Sequence, residues 1–404
     1  MKELPPYWTD PYKAHFEITI LDVRETKRVT EITIKEPVVR SAGGGQAGDR
    51  GILYTEEQDI QFLDTRKHGE NTVLIADQAP LTGQKHNLAI DWEWRYGMMK
   101  NHTAEHLFVA QLLKMHPDIL VSELWIDGEN GSIVLDEADF EIKDLLIAEN
   151  EVQKMIERSI PISTELVESQ AVDDEVRVRK GALERHDELR VVRIGEHDKS
   201  ACSGTHVKNT EEIRAFKIVD YQISESSVHV EFVTAAKAIG ILSRTYNAAL
   251  RRKHTVPFEM EQLGHILDKY CALQSNHQRM TEKIKSVVPD LVETVTSGET
   301  NILHDVLPGF DTKALRDAAL NLNPAKPALI ILFSPGDTSH VVVRSVGLER
   351  EAKFYVEGIV ESLGGKGGGG GDIYTGGFSS SEDPYSVYDN LVSKAIKKMR
   401  KSAN

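Results

Sequence analysis

Two short motifs combine residue types that bind metal ions. In HTAEH, His102 and His106 stand four positions apart, and in CSGTH the same spacing separates Cys202 from His206. This spacing lets one ion accept both donors of a motif from a single turn of backbone. A set of four nitrogen and sulfur donors suits the tetrahedral coordination of zinc. We therefore expect these four residues to hold one zinc ion per chain.

The number of protein ligands decides what such an ion could do. Three ligands leave an open position, where a bound water becomes acidic enough to attack an ester at neutral pH. Four ligands close the site and are typical of structural zinc. Because the motifs offer four, we expect one of two arrangements. Either Cys202 or His206 yields to a substrate, or the metal positions the substrate while another group handles the water.

Glu105 lies beside His106 in HTAEH and is a candidate general base. On a helix it projects about 100° away from the adjacent ligand, which also permits a purely structural role. The motif satisfies HxxEH as well, in which the glutamate between two histidines serves a metallopeptidase. That hypothesis needs a carboxylate ligand further along the chain and leaves CSGTH without a role.

The segments around these motifs indicate an α+β fold. Between about residues 14 and 90, short alternating apolar and polar runs predict a small antiparallel β-barrel. Residues 97–116 have helical spacing and place His102 and His106 on one face. Strand-like and helical segments follow to residue 236. We assign residues 1–95 to an N-terminal barrel-like domain and 96–236 to a zinc-binding α+β domain.

The rest of the chain predicts a helical segment and a second mixed domain. From Leu263 to Ile284, apolar residues recur at spacings of three and four, which predicts a helical linker or hairpin over 237–295. Two strands around a PGD turn, the run GGKGGGGGD and an amphipathic helix predict a glycine-rich α/β domain over 296–404. The five consecutive glycines by themselves favour a flexible loop.

Composition limits the class of protein. The chain has 404 residues, 40% of them apolar, and a formal net charge of −15. No run approaches the roughly 18 apolar residues of a membrane span, and no secretory signal is present. Only Cys202 and Cys271 are cysteines, which excludes a disulfide framework. We expect a cytoplasmic protein without membrane association, and the negative balance argues against RNA binding over the whole surface.

Three runs of sequence resemble one family closely. They are GGGQAGDRG (43–51), IDWEWRYGMMKNHTAEHL (90–107) and RVVRIGEHDKSACSGTHVKNTEEIRAFKI (190–218). All three look like the editing half of alanyl-tRNA synthetases and like the freestanding AlaX-type alanyl-tRNA editing proteins. The run GGKGGGGGD is similar to the glycine-rich motif of the C-terminal domain of those synthetases. A long AlaX form would fit the full length.

The resemblance implies a deacylase that acts in trans on alanine tRNA mischarged with serine, and glycine is a further candidate substrate. Only a few residues precede the first predicted strand, so we expect no aminoacylation activity. A noncatalytic tRNA-binding zinc protein is the main alternative, and the HxxEH metallopeptidase ranks behind it.

The resemblance also implies roles for further residues. Ser122 and Glu123 are candidate readers of the serine hydroxyl, because a site that must bond a hydroxyl rejects the analogue lacking it. Gln46 is expected to complete the pocket for the tRNA end. Contacts to tRNA are expected from glycines and lysines of both halves of the chain: Gly44, Gly45, Lys366, Gly367, Gly368, Lys397 and Lys398. A homodimer through the C-terminal region is a final expectation.

Overall fold

The chain divides into two compact units, Met1–Arg252 and Lys253–Asn404. A computed structural model describes residues 4–56, 58–80, 85–136, 140–179, 181–379 and 383–402. Both units mix helices with β-sheets, which confirms the α+β class. Within the described ranges, no helix combines the length and the apolar character that crossing a membrane requires.

The first unit begins with a short helix, α1 (Pro6–Thr9), followed by a closed six-stranded barrel. Its strands are β1 (His15–Glu25), β2 (Thr30–Ile34), β3 (Gly51–Tyr54), β4 (Asp59–His68), β5 (Asn71–Ala76) and β6 (Lys85–Ile90). They are joined in the order β1-β2-β5-β4-β3-β6, and β6 pairs back onto β1. Alternate residues such as Phe16, Ile18 and Ile20 fill the interior. The alternating pattern therefore predicted the barrel correctly.

Helix α2 (Trp92–Met115) follows the barrel and carries the first metal motif. Asp91 caps its N-terminus by accepting the backbone N–H of Trp94 at 3.1 Å. All residues from Asn101 to Leu112 are buried, polar ones included. A helix that buries polar side chains must supply hydrogen-bond partners for them, so its surroundings decide what the helix can do.

Two sheets and further helices enclose α2. A four-stranded antiparallel sheet has the order β12-β13-β8-β7, and a three-stranded antiparallel sheet has the order β11-β10-β9. The elements are β7 (Leu120–Ile126), β8 (Gly131–Asp136), α3 (Ile142–Glu157), β9 (Ile162–Glu168), α4 (Ala182–Arg185), β10 (Glu188–Ile194), β11 (Asp198–Ala201), β12 (Phe216–Ile223), β13 (Ser227–Thr234) and α5 (Ala235–Leu250). The apolar side of α2 packs with Phe108 against Phe216 and Phe232 of the four-stranded sheet.

The second unit is a six-stranded sheet of order β14-β15-β16-β17-β19-β18 with helices on both faces. Only β15 and β16 run parallel among its described pairs. The elements are α6 (Leu263–Leu291), β14 (Glu293–Ser297), β15 (Thr300–Val306), α7 (Thr312–Asn321), β16 (Ala328–Ser334), β17 (Thr338–Val346), α8 (Ala352–Ser362), β18 (Lys366–Gly370), β19 (Ile373–Ser379) and α9 (Pro384–Ser402).

The glycine run is an edge strand, not the flexible loop that its composition favours. Residues Lys366–Gly370 form β18, which pairs with β19. A Cβ on Gly367 would lie 2.5 Å from the Thr375 carbonyl and from the Tyr374 hydroxyl, and one on Gly369 would lie 2.3 Å from the Ile373 carbonyl. Glycine is therefore required at alternate positions because the neighbouring strand approaches so closely.

Replacement of Gly131 by alanine should destabilise the first unit. A Cβ at this position on β8 would lie 2.1 Å from the Phe232 ring of β13. Overpacking of this kind costs about 1–3 kcal/mol. The chain's four tryptophans, Trp8, Trp92, Trp94 and Trp125, all belong to the first unit, so tryptophan fluorescence during urea unfolding reports on that unit.

The matched control is Gly240→Ala in α5, where the added methyl would meet only the Arg244 side-chain end at 3.3 Å. An alanine inside a helix favours folding by about 1 kcal/mol relative to glycine. We expect the urea midpoint to fall for Gly131→Ala and to rise or stay for Gly240→Ala. An unchanged midpoint for Gly131→Ala would contradict the packing described for β8 and β13.

Candidate metal centre

The two motifs meet in the first unit. His102 and His106 lie one turn apart on α2, and Cys202 and His206 follow β11. One donor atom from each of these four residues lies within 4.8 Å of the other three. The histidines are buried and the cysteine is partly buried. The cluster could hold one metal ion.

The donor atoms are of the kinds that zinc binds. Cys202 Sγ lies 3.5 Å from His102 Nε2 and 3.3 Å from His206 Nε2. The His106 ring centre is 5.2 Å from that of His102 and 4.7 Å from that of His206. Imidazole nitrogen and thiolate sulfur are both zinc donors, and four of them match the number of ligands in a tetrahedral zinc site.

The other nitrogen of each ring is held by a buried side chain. The three contacts are His102 Nδ1 to Gln46 Oε1 at 2.8 Å, His106 Nδ1 to Asp198 Oδ2 at 2.8 Å, and His206 Nδ1 to Thr103 Oγ1 at 3.2 Å. Acceptors at these positions favour the proton on Nδ1 and leave the Nε2 lone pairs for a metal. The residues present therefore fit a bound metal ion in both their donors and their supporting contacts.

The Thr103 hydroxyl acts as the acceptor for His206 Nδ1, because its own proton is donated to another group. The Thr103 hydroxyl donates to the Met99 carbonyl at 2.8 Å, one turn earlier on α2. Its oxygen also accepts the Val207 backbone N–H at 3.3 Å. One hydroxyl thus fixes both the His206 ring and the backbone next to it.

Gln46 joins the glycine-rich hairpin of residues 43–46 to the CSGTH motif. Its Oε1 accepts the Thr205 backbone N–H at 3.1 Å in addition to His102 Nδ1, and its Nε2 donates to Thr205 Oγ1 at 3.0 Å. Gln46 is fully buried. Its contacts in the described structure are those of a residue that orients His102.

Asp198 carries the charge behind His106. Its Oδ1 accepts from Arg177 Nη2 at 3.3 Å, and the Ser200 hydroxyl donates to its Oδ2 at 2.8 Å. Burial raises the pKa of Asp198, but His106 and Arg177 outweigh burial and lower it to about 2. The carboxylate therefore stays ionised and keeps the His106 ring in place.

Two of the four residues, His206 and Cys202, have protonation states that suit metal binding. Burial lowers the pKa of His206 to about 3, so its ring is neutral. Burial raises the pKa of the Cys202 thiol, but the adjacent His102 and His206 rings outweigh it and hold this pKa well below its usual range. A thiolate and a neutral imidazole are the forms that coordinate a metal. Burial lowers the pKa of His106, but the Asp198 carboxylate outweighs burial and raises this pKa to about 10, so a metal must displace a proton from that ring.

A cavity of about 670 Å³ opens beside the cluster. It is lined by His102, Glu105, His106 and Cys202, with Arg177 and Ser122 on its walls. Glu123, the neighbour of Ser122 on β7, is exposed and does not line the cavity. Of the two candidate hydroxyl readers, only Ser122 lines this cavity.

Glu105 is buried and reaches this cavity. One carboxylate oxygen lies 3.9 Å from His106 Nε2, and the other lies 4.0 Å from Arg177 Nη1. Its direction on the helix, about 100° from the adjacent ligand, therefore does not remove it from the site. Arg177, which approaches both Glu105 and Asp198, carries no sequence signal because the segment around it has no recognisable spacing.

Gly44 and Gly45, at the tip of the hairpin of residues 43–46, differ in what requires a glycine there. Gly44 lines the cavity, and its φ of +62° suits a residue without Cβ. Gly45 has φ +85°, and a Cβ there would lie 2.7 Å from the Leu124 carbonyl of β7. In CSGTH, a Cβ on Gly204 would lie 2.1 Å from the His102 ring. Close packing around the His102 ring thus requires glycine at position 204.

The remaining candidate residues belong to the second unit. Lys366, Gly367 and Gly368 are exposed on the edge strand β18. On α9, Lys397 is exposed, while the Lys398 ammonium contacts the Phe354 carbonyl and lies 4.9 Å from the centre of its ring.

Replacement of Asp198 by asparagine should weaken metal binding. The substitution keeps the shape of the side chain but removes the charge that holds His106 and Arg177. Loss of such a supporting contact typically lowers metal affinity by about 10–100-fold. Competition with a chromophoric zinc chelator measures this change, and the exposed Asp187→Asn is the matched control. Equal zinc affinities for the two variants would contradict the role assigned to Asp198.

Comparison with known proteins agrees with the motifs. The model of the family described as "Threonyl and Alanyl tRNA synthetase second additional domain" matches residues 189–229, which include Cys202 and His206. The chain is 26% identical to "Alanyl-tRNA editing protein AlaX-L" of Pyrococcus horikoshii, over 96% of this chain and 97% of that protein.

Alanine–tRNA ligases are also similar, over part of their length. The enzyme of Aeropyrum pernix is 29% identical, covering 60% of this chain and 27% of the ligase. That of Sulfurisphaera tokodaii is 25% identical, covering 92% of this chain and 42% of the ligase. The chain thus spans less than half the length of these two ligases.

Among solved structures, the C-Ala domain of Aquifex aeolicus alanyl-tRNA synthetase matches 26% of this chain and 96% of that domain, at 20% identity. The TM-score of 0.22 is too low to establish a shared fold. The sequence similarity, by contrast, extends over almost the whole chain, and with the matched domain it confirms the resemblance to long-form AlaX-type alanyl-tRNA editing proteins.

Proposed function

We propose that this protein is a deacylase that acts in trans and hydrolyses the ester between serine and alanine tRNA. The observation that supports this proposal most strongly is the cluster of His102, His106, Cys202 and His206 beside a cavity. The chain that carries this cluster is similar to an alanyl-tRNA editing protein over nearly its whole length. Glycine on the same tRNA is a second proposed substrate, since the cavity would admit it by size. We also propose that the chain does not itself attach alanine to tRNA.

Zinc is the metal that fits this donor set best, because three imidazoles and a thiolate match its preferred ligands. Bound at these four atoms, zinc would supply Lewis acidity to a coordinated oxygen or amine of the substrate. Four protein ligands would leave no open position on the metal, so hydrolysis would require either the exchange of one ligand or a separate group that activates water.

Glu105 is the group that we assign to the water. Its carboxylate lines the cavity, lies 3.9 Å from His106 Nε2 and is not part of the donor set. A buried carboxylate within reach of the ester can accept the proton of an attacking water. Arg177 Nη1, 4.0 Å from Glu105, offsets the negative charge of that carboxylate.

Ser122 is the residue that we assign to the serine hydroxyl. Its Oγ lies 3.3 Å from the Val134 carbonyl and lines the cavity. A hydroxyl has both a donor and two acceptor sites, so it can bond to the substrate and to Val134 at the same time. Ser122 is exposed to the solvent of the cavity, so we propose that bound substrate excludes water from it. Alanine would then leave Ser122 without this bond, which disfavours alanine relative to serine.

We further propose that the hairpin tip at Gly44 and Gly45 receives the end of the tRNA, and that Lys366, Gly367, Gly368, Lys397 and Lys398 contact its backbone. Exposed glycines allow close approach of a phosphate, and these lysines supply local positive charge on a chain whose formal net charge is −15. Homodimerisation also stays a prediction. Light scattering against the chain mass of 45.1 kDa tests it.

Incubation of the purified protein with alanine tRNA charged with radiolabelled serine or alanine tests the proposed function. We expect release of serine and retention of alanine, with a preference on the order of a hundredfold or more. Cys202→Ala should lose this activity, whereas Cys271→Ala, which replaces an exposed cysteine on α6, should keep it.

The same assay on Lys397→Glu should show a raised KM with kcat unchanged.

Release of neither amino acid by a zinc-loaded protein would overturn the proposal. That outcome is the one expected of the alternative, a noncatalytic tRNA-binding protein whose four ligands make its zinc structural. The metallopeptidase hypothesis receives less support, because Cys202 and His206 join His102 and His106 in one cluster.

A further inference from the structure

Arg190 of β10 is a buried arginine with one edge of its guanidinium in use. Its side chain is 7% exposed. Nη1 donates to the Cys202 carbonyl at 3.1 Å and to the Gly204 carbonyl at 2.8 Å. These bonds tie the arginine to the backbone of the CSGTH motif.

The other edge of Arg190 has no acceptor among the described residues. Nε is buried without a hydrogen-bond partner, and Nη2 donates to none of the described residues. A buried donor without a partner destabilises the folded protein. The Nε–Nη2 edge is also the one whose parallel N–H bonds match two oxygens of a phosphate or carboxylate. The arrangement favours an oxyanion that comes from outside the chain.

Arg40 adds a second buried cation close by. It is 4% exposed, its Nη2 donates to the Gly43 carbonyl at 2.8 Å, and its Nε is buried without a partner. The buried Asp49 accepts the Arg40 backbone N–H and is engaged on both oxygens by the Arg95 side chain. Among the described residues, neither Arg40 nor Arg190 forms an ion pair with a carboxylate, and the negative group that acts on both is the Cys202 thiolate. Two buried cations beside one thiolate leave an excess of positive charge, which favours an anion here.

Both arginines lie behind the wall of the cavity at the metal centre. A Cβ placed on Gly44 would be 3.7 Å from Ser203 Oγ and 4.0 Å from Arg40 Nη2. Gly44 and Ser203 line the cavity together with His102 and Cys202. The arginines themselves do not line the cavity, but they contact or approach its lining residues Gly44, Cys202 and Gly204, so an anionic group would reach them at this edge of the cavity.

Trp8 of α1 completes this corner of the site. Its Nε1 donates to the Ser203 carbonyl at 2.9 Å, and its ring centre lies 5.7 Å from Arg190 Cζ. The ring is only partly buried. An aromatic face beside an arginine is the combination that proteins use to bind single-stranded nucleic acid through one base and one phosphate.

We propose that Arg190, supported by Arg40 and Trp8, binds the phosphodiester on the 5′ side of the terminal nucleoside of an RNA 3′ end. This inference rests on the proposed function, in which the amino acid esterified to that terminal ribose enters the metal centre. The phosphodiester is the anionic group nearest to the ester, one nucleoside away. Arg190 would then set how far the RNA end reaches into the cavity.

Two small esters test the inference: 3′-O-seryl-adenosine, and the same molecule with a 5′-phosphate. For the unmodified protein we expect the phosphate to raise kcat/KM by about tenfold or more, the range of a charge-assisted bond to arginine. Arg190→Gln should hydrolyse the two esters at nearly equal rates. Arg193→Gln is the matched control, because Arg193 lies on the same strand and pairs with Glu165 at 2.7 Å instead.

Equal kcat/KM values of the unmodified protein for the two esters would overturn the inference and leave the proposed deacylase standing. Hydrolysis of neither ester, nor of seryl-tRNA, would instead count against the proposed function. Should Arg190→Gln lose its metal, the decision falls to wild-type affinities for adenosine and adenosine 5′-monophosphate, measured calorimetrically. Tighter binding of the monophosphate supports the subsite, and equal binding contradicts it.

Discussion

Three hydrogen bonds donated by imidazole Nδ1 atoms are the constraint on which the site in the first unit depends. Their acceptors are Gln46 in the loop between β2 and β3, Thr103 on α2 and Asp198 on β11. In each bond, the acceptor and the ring belong to different segments of the chain. The barrel, the helix and the three-stranded sheet must all be in place before the donor atoms can meet. A metal bound there would in turn stabilise the folded unit.

This dependence explains why α2 buries so many polar groups. Its Asn101, His102, Thr103, Glu105 and His106 are all buried, and a helix of this kind is stable only if its neighbours satisfy those groups. Asn101 donates to the Asp127 carbonyl and accepts from the Thr234 hydroxyl. The network rigidifies the ligands and leaves Glu105 outside the donor set, where its carboxylate faces the cavity.

The sequence was sufficient to predict some parts of this arrangement and not others. The cluster of four donor residues was predictable because each motif places two donors four positions apart, and the barrel was predictable because its strands alternate with period two. Asp198, Thr103 and Arg177 gave no comparable signal, since their roles arise from contacts between distant segments. Helical geometry predicts that Glu105 projects about 100° away from the adjacent His106, yet Glu105 lines the same cavity as His106. The glycine run of β18 was expected to be a loop, because its composition does not reveal the close approach of β19.

Every role proposed for this site depends on one metal ion bound by three imidazoles and one thiolate. X-ray absorption at the zinc K-edge of the purified, zinc-loaded protein measures this donor set directly. We expect one sulfur neighbour at about 2.3 Å and three nitrogen neighbours at about 2.0–2.1 Å, with the sulfur contribution lost in Cys202→Ala. A shell of nitrogen and oxygen alone, or an unchanged spectrum in that variant, would contradict this donor set.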